Sequence, residues 1–144
     1  MEKSKRFEPI ADLARNSERE AAKALGQALQ QLEQEQQQLE QLIGYRADYR
    51  RRLNDSASQG MSVQTVNEFR EFITKLSLAI EQQQQTLEIC RQVLEEKKRF
   101  WFAKRGRSKA LDAVLDKYIK NEQQLLERRE QRELDDRNNR PKSE

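Results

Sequence analysis

The stretch "AAKALGQALQQLEQEQQQLEQLIGYRADYRRRL", residues 21–53, decides the fold. Apolar side chains recur in it at alternating steps of four and three residues, which keeps them on one narrow face of an α-helix. The residues between them are mostly Gln, Glu, Lys or Arg. The pattern predicts a long coiled-coil helix whose contact face, the first seam, consists of Ala21, Leu25, Ala28, Leu32, Glu35, Leu39, Leu42, Arg46, Tyr49 and Leu53.

A second periodic segment follows residues 55–63, whose Asp, Ser and Gly residues are typical of a loop. Its helix has two candidate start signals. One is Ser62, and the other is Thr65 with Glu68 three residues later, which is the spacing of a capping box. The second seam runs without a skip and consists of Ile73, Leu76, Ile80, Gln83, Leu87, Cys90, Leu94, Lys97, Trp101, Lys104, Ser108, Leu111, Leu115 and Tyr118.

Two amphipathic helices joined by one loop predict an all-α fold. We expect a long two-helix antiparallel coiled-coil hairpin in which helix two overhangs helix one. Pro9 suits the first turn of helix one, where its missing N–H would be unsatisfied anyway. The predicted single domain, residues 1–144, contains helix one at about 9–54, a loop at about 55–63, helix two at about 64–136 and a disordered tail at about 137–144.

Interlocking the two seams in antiparallel fashion gives a register for the hairpin. It places Tyr49 near residues 69–73 and Arg46 close to Glu71. It also predicts that the start of helix one lies near residues 106–113.

The composition excludes several classes of protein. Charged residues make up 37% of the chain, against about a quarter in a typical globular domain. The mean hydropathy is −1.13, so apolar side chains are too few to enclose a globular core. The 28 basic and 25 acidic residues nearly balance, unlike in a polycation that coats nucleic acid. With no long apolar run and no signal-peptide core in "MEKSKRFEPI", we expect a soluble cytoplasmic protein.

Catalysis and metal binding have no candidate residues in this sequence. Histidine is absent, the four glycines are isolated, and Cys90 lies on the second seam, where it fits a buried small hydrophobe. A two-helix coiled coil also offers almost no pocket. We therefore expect no enzymatic activity, no catalytic residues, no cofactor and no metal site.

Seven basic residues and three adjacent aromatics occur together in residues 95–109. Trp101 is a seam position, which favours packing over the start of helix one. Three adjacent aromatics on a helix cannot share one face, so at least one of Phe100 and Phe102 is expected to be exposed. Such a segment fits an acidic protein surface, and it also fits nucleic acid or acidic lipid. The basic–aromatic stretch comprises Lys97, Lys98, Arg99, Phe100, Trp101, Phe102, Lys104 and Arg105.

Two tyrosines, Tyr45 and Tyr49, lie four residues apart and therefore on one side of helix one. Tyr49 is a seam position and Tyr45 is not. In the predicted register, the residues around them face a set on helix two with the same spacing. The eight form a surface rich in Tyr, Phe and Leu, as in protein-binding hot spots. This surface, the tyrosine face, consists of Gln38, Leu42, Tyr45, Tyr49, Phe72, Leu76, Ala79 and Gln83.

Several stretches, taken in order, resemble the FliJ family of flagellar type III export proteins. They are the opening "RFEPIADLARNSEREAAKAL", the segments "LIGYRADYRRRL" and "FREFITKLSLAIEQQ" on either side of the loop, and "FWFAKRGRSKALDAVLDKY" followed by "REQRELDD". The resemblance covers most of the chain. It implies a non-enzymatic antiparallel coiled coil, similar to the central stalk of rotary ATPases, at the cytoplasmic face of the inner membrane.

The resemblance also implies partners. Members of the family bind the hexameric export ATPase and promote its ring assembly, connect it with the transmembrane export gate protein, and bind empty export chaperones. The gate-binding face of the family corresponds to the tyrosine face, although Gln83 departs from a relative that carries His there. The basic–aromatic stretch is a candidate contact with the ATPase, and no nucleic acid is expected.

Other interpretations are compatible with the sequence. The chain also fits the equivalent stalk protein of a virulence-type secretion system. From a different class, a basic coiled coil that binds nucleic acid through residues 97–109, or a generic adaptor, is an alternative. The near balance of acidic and basic residues weighs against nucleic-acid binding.

Overall fold

The computed structural model describes residues 2–140 and consists of two α-helices. Helix α1 spans Lys3–Ser58 and helix α2 spans Val63–Asn139, and no strand occurs in the described residues. The helices pack against each other in opposite directions, as the pairs of contacting residues below indicate. The predicted all-α two-helix fold is therefore confirmed.

The contacts within the chain divide it into two compact units. The loop unit is Lys23–Arg99, and the described part of the terminal unit is residues 2–22 and 100–140. Each unit is described by itself.

In the loop unit, the predicted seams form the contact between the helices. All first-seam positions from Leu25 to Leu53 are at least partly shielded from solvent, and second-seam residues such as Ile80 and Leu87 are buried. Polar positions of the seams also pair: the Gln83 side-chain amide donates to the backbone carbonyl oxygen of Glu35 at 2.9 Å and to its carboxylate. Heptad spacing therefore identifies the buried face correctly, including its polar layer.

In the terminal unit, the seam is built mainly from small side chains. Ala11, Ala14 and Ala21 of α1 are buried, as is Ser108 of α2. A larger contact closes the far end, where the rings of Phe7 and Tyr118 meet edge to face with centroids 5.5 Å apart. Small seam residues allow two helix backbones to approach closely, so little apolar volume is needed to bury this stretch.

Helix α1 begins earlier than predicted, at Lys3 rather than near residue 9. Pro9 consequently lies inside the helix, where its ring nitrogen cannot donate to a preceding carbonyl. The first turn is held from outside, because Ser4 donates to Glu122. The start of helix one therefore lies against Tyr118 and Glu122, and the predicted position near residues 106–113 is wrong.

The connection between the helices is shorter than predicted, because α1 continues to Ser58 and α2 starts at Val63. The Ser62 hydroxyl oxygen accepts a hydrogen bond from the Thr65 backbone N–H at 3.3 Å, so Ser62 is the N-cap. The alternative start at Thr65 is wrong. Gly60 has a φ of 86° and makes the turn in the left-handed region.

The end of α2 overhangs α1 in the terminal unit, as predicted. Every described residue after Glu122 is exposed, yet the helix continues to Asn139. The prediction that order ends near residue 136 is therefore wrong for 137–139, while residues 141–144 lie outside the described residues. That the whole chain forms one domain stays a prediction.

Candidate partner-binding surfaces

All eight residues of the tyrosine face lie in the loop unit, but they differ in exposure. Tyr45 is 54% exposed and Phe72 is 42% exposed, and Gln38 is exposed as well. Leu42, Tyr49 and Ala79 are half-buried. A partner would therefore meet mainly the two exposed rings and the edges of the half-buried side chains.

The other two residues of the tyrosine face, Leu76 and Gln83, are buried in the seam. The Gln83 side-chain amide donates its hydrogen bonds to Glu35, so its N–H groups are not directed to the surface. These two residues support the face from beneath and a partner would not touch them directly. Whether the face binds a partner stays a prediction.

Tyr49 is the centre of an aromatic cluster that joins the two helices. Its ring centroid lies 4.5 Å from that of Phe72 and 5.9 Å from that of Phe69, both at tilted angles. The Arg52 guanidinium lies 5.4 Å from the centroid of the same ring. Such contacts favour a fixed ring orientation.

Phe69 and Arg52 were missing from the predicted set. Both lie three residues from a member of it, Phe69 before Phe72 and Arg52 after Tyr49, and residues at that spacing are neighbours on a helix. Helical spacing applied once more would have found them. Arg52 brings a positive charge to a face that the predicted residues alone leave uncharged.

Tyr45 lies off the seam, as predicted, and Tyr49 lies near residues 69–73, as the predicted register places it. Among the described residues, the tyrosine ring that packs on Phe72 is Tyr49, not Tyr45. Tyr45 instead borders a shallow groove along α1 that is otherwise lined by Leu42 and glutamines: Gln34, Gln37, Gln38 and Gln41. Tyr45 therefore extends the aromatic surface along α1 and leaves its ring available.

The predicted closeness of Arg46 and Glu71 gives no ion pair. Arg46 donates to the Ser77 hydroxyl oxygen at 3.3 Å. Glu71 instead pairs with Lys75, one turn along α2, at 3.9 Å. An exposed carboxylate gains more readily from a cation on its own helix face than from one across the seam.

The basic–aromatic stretch is divided between the two units. In the loop unit, Lys97 and Arg99 are exposed, and the Lys98 ammonium lies 3.4 Å from the Glu95 carboxylate. Lys97 is the one second-seam position that is exposed among those described. A long charged side chain at a seam position extends to solvent, which explains why this predicted seam position fails.

In the terminal unit, Phe100 and Phe102 are both exposed, which confirms that at least one of them is. Trp101 is half-buried and packs on Phe102, with ring centroids 5.0 Å apart. It does not cover the start of α1, which lies against Tyr118. The cations of the stretch lie over these rings, Lys104 at 5.1 Å from the Phe100 centroid and Arg105 at 5.2 Å from that of Trp101.

Two further properties of the described residues concern metal ions and membranes. Within residues 2–140, no group of three or more Cys, Asp or Glu side chains is arranged to hold a metal ion. Neither of the helices described there combines the length and the apolar character that a membrane crossing requires.

Comparison with known proteins gives a consistent result. A family model described as "Flagellar FliJ protein" matches residues 3–141. The chain is 27% identical to the flagellar FliJ protein of Salmonella typhi over 130 residues, which covers 90% of this chain and 88% of that protein. It is 29% identical to the flagellar FliJ protein of Escherichia coli strain K12 over 108 residues, or 75% and 74% of the two chains. No solved structure matches the chain significantly.

Proposed function

The chain belongs to the FliJ family and is a component of the flagellar protein export apparatus, and from this premise we propose that it acts there as a stalk-like coiled coil without enzymatic activity. In this proposal it binds the hexameric export ATPase, promotes assembly of the ATPase ring and links the ring to the transmembrane export gate protein. It also binds empty export chaperones. It works in the cytoplasm, at the cytoplasmic face of the inner membrane, to which its partners attach it.

The exposure of Tyr45 and Phe72 around the half-buried Tyr49 is the observation that carries the proposed link to the gate protein. Large aromatic side chains that are already held in place lose little conformational entropy on binding, so they make efficient anchors. In the tyrosine face, the helix-to-helix contact of Tyr49 and Phe72 provides that order. A gate protein docks on the exposed edge of this cluster and on Tyr45.

The proposed contact with the ATPase uses the basic–aromatic stretch. The exposed rings of Phe100 and Phe102 carry apolar area, and Lys104 and Arg105 lie close to aromatic rings and remain charged. An acidic protein surface complements both features, because its carboxylates pair with the cations while apolar groups cover the rings. The proposed activity is therefore binding and alignment rather than chemistry.

The experiment that tests the gate contact is a pull-down of the soluble domain of the gate protein by purified Tyr45→Ala protein. We expect binding to weaken by about tenfold or more, as for truncation of a hot-spot tyrosine. Ile43→Ala is the matched control, because Ile43 is also an exposed large hydrophobe of α1 in the loop unit but lies outside the tyrosine face.

Far-UV circular dichroism of both variants shows whether the helices are retained. Unchanged gate binding by a folded Tyr45→Ala protein would remove the tyrosine face from the proposal. If Ile43→Ala weakened gate binding equally, the gate protein would bind exposed apolar side chains of α1 in general rather than this face.

A further inference from the structure

In the terminal unit, two of the larger apolar side chains of α1 face outward, although Phe7 packs against α2. Leu13 is 70% exposed and Ile10 is 46% exposed, while Ala11 between them in the sequence is fully buried. An isolated exposed leucine is common on protein surfaces and needs no explanation. Here two large side chains three residues apart share one helix face, next to a seam that is filled by alanine.

These side chains form one wall of a groove between the helices. The α1 wall consists of Ile10, Leu13, Ala14 and Ser17, and the α2 wall carries Lys104 and Arg107. The groove lining contains no carboxylate. Within residues 2–140, neither Lys104 nor Arg107 has a carboxylate oxygen within 4.0 Å, so the groove is apolar on one side and positively charged on the other.

The groove on the other side of the same unit is different. It is lined by Arg15, Arg19 and Lys109, but also by Glu18 and Asp112. Arg15 is already paired, with Asp12 and with the Asp112 carboxylate at 2.7 Å. That groove therefore contains both acidic and basic side chains, and one of its cations is paired, whereas the charged side chains that line the apolar groove are all cations.

We propose that the groove lined by Ile10, Leu13, Lys104 and Arg107 binds an acidic amphipathic helix of a partner protein. The apolar stripe of the bound helix packs on Ile10 and Leu13, and its Asp or Glu residues pair with Lys104 and Arg107. Two packed helices leave a groove between them that can accept a third helix. Unpaired cations on one wall of the groove favour a bound helix that has acidic residues beside its apolar stripe. A lipid bilayer presents no ridge that enters such a groove.

This inference deepens the proposed function, on which it rests for its setting, because Lys104 also belongs to the basic–aromatic stretch. Its test uses no component of the export apparatus, so the two can fail separately. The probe is a fluorescein-labelled synthetic amphipathic helix with leucine on one face and glutamate on the others. A second probe has the same leucine face and lysine in place of glutamate.

Fluorescence anisotropy with the full-length protein measures both affinities. We expect the glutamate peptide to bind at least about tenfold more tightly than the lysine peptide, with an affinity that falls as salt is added. The double variant Lys104→Glu, Arg107→Glu should lose this preference. Leu13→Ser should lower the affinity for the glutamate peptide by about fivefold to tenfold, since it removes apolar contact area.

The matched control is Arg19→Glu, Lys109→Glu, which makes the same change of charge in the opposite groove. It should leave the preference for the glutamate peptide largely in place. Three outcomes would each overturn the proposal. The two peptides could bind equally well, or the two double variants could have equal effects. The protein could also bind phosphatidylserine vesicles but neither peptide. The gate pull-down with Tyr45→Ala is unaffected by any of these outcomes.

Discussion

The carboxylate of Glu122 in α2 accepts two hydrogen bonds from Ser4 in α1, from its backbone N–H at 3.0 Å and from its hydroxyl at 2.6 Å. The N–H groups of the first turn of a helix have no partner within the helix. Glu122 therefore caps α1 from a position 118 residues away, and it places a negative charge at the positive end of the helix dipole.

This contact predicts a pH-dependent stability of the start of α1. The Ser4 hydroxyl, and then its backbone N–H, hold the pKa of the Glu122 carboxyl below its ordinary value of 4.5. Because the folded pKa is the lower one, the stabilisation is present above pH 4.5 and is lost as the pH falls through the folded pKa. Ser4→Ala should raise the Glu122 pKa, as measured by an NMR titration of its side-chain carboxyl. An unchanged titration midpoint would show that Ser4 is not the cause.

Tyr45 and Tyr49 should differ in their effect on stability. Tyr49 packs on Phe69 and Phe72 across the helices, so Tyr49→Ala should lower the free energy of unfolding by about 1–3 kcal/mol, less than for a fully buried aromatic. Tyr45 is mostly exposed, and Tyr45→Ala should change the free energy of unfolding by less than about 0.5 kcal/mol.

Urea unfolding followed by far-UV circular dichroism measures both. If Tyr45→Ala destabilises as much as Tyr49→Ala, Tyr45 is part of the packed cluster and its loss of gate binding cannot be attributed to a lost contact. Tyr45→Ala alone is therefore a cleaner test of binding than a variant that also replaces Tyr49.

The sequence predicts the seams well because a coiled coil repeats one local rule. The first seam from Leu25 to Leu53 and nearly all of the second lie where the heptad places them. The boundaries are predicted less well, because they depend on remote partners. No residue near Lys3 in the sequence indicates that Glu122 caps the helix there. Pro9 is itself a residue that favours the first turn of a helix, so the sequence alone places the start near it.

The candidate site is predicted in outline for a related reason. Heptad counting separates Tyr45 from the seam, and the structure leaves it exposed. The same count assigns Leu76 and Gln83 to the seam, yet spacing also groups them with the surface. Residues at the edge of a narrow seam satisfy both patterns, and only packing decides between them.

Gln83 should contribute to stability although it is polar. Its amide bonds to Glu35 from a buried position, so Gln83→Ala should lower the free energy of unfolding by about 1–2 kcal/mol through the lost hydrogen bond and contact area. Gln84→Ala is the matched control, since Gln84 is the next residue and is exposed. Equal, small effects of both substitutions in urea unfolding would mean that the Gln83–Glu35 contact contributes little.

The turn between the helices should be sensitive to a single added methyl group. Gly60 has a φ of 86°, and no heavy atom lies within 4 Å of the position where a Cβ would stand, so a substitution there meets backbone strain and not a clash. Gly60→Ala should therefore lower the free energy of unfolding by about 1–2 kcal/mol, and Gly60→Asn by less, because Asn tolerates the left-handed region. Gly26→Ala is a control for which we expect the opposite change in stability. Gly26 lies within α1 and also has free space for a Cβ, so alanine should raise the free energy of unfolding by about 0.5–1 kcal/mol.

Thermal unfolding of the three variants ranks their stabilities. A Gly60→Ala protein as stable as the parent would show that the turn adopts a different backbone conformation in solution.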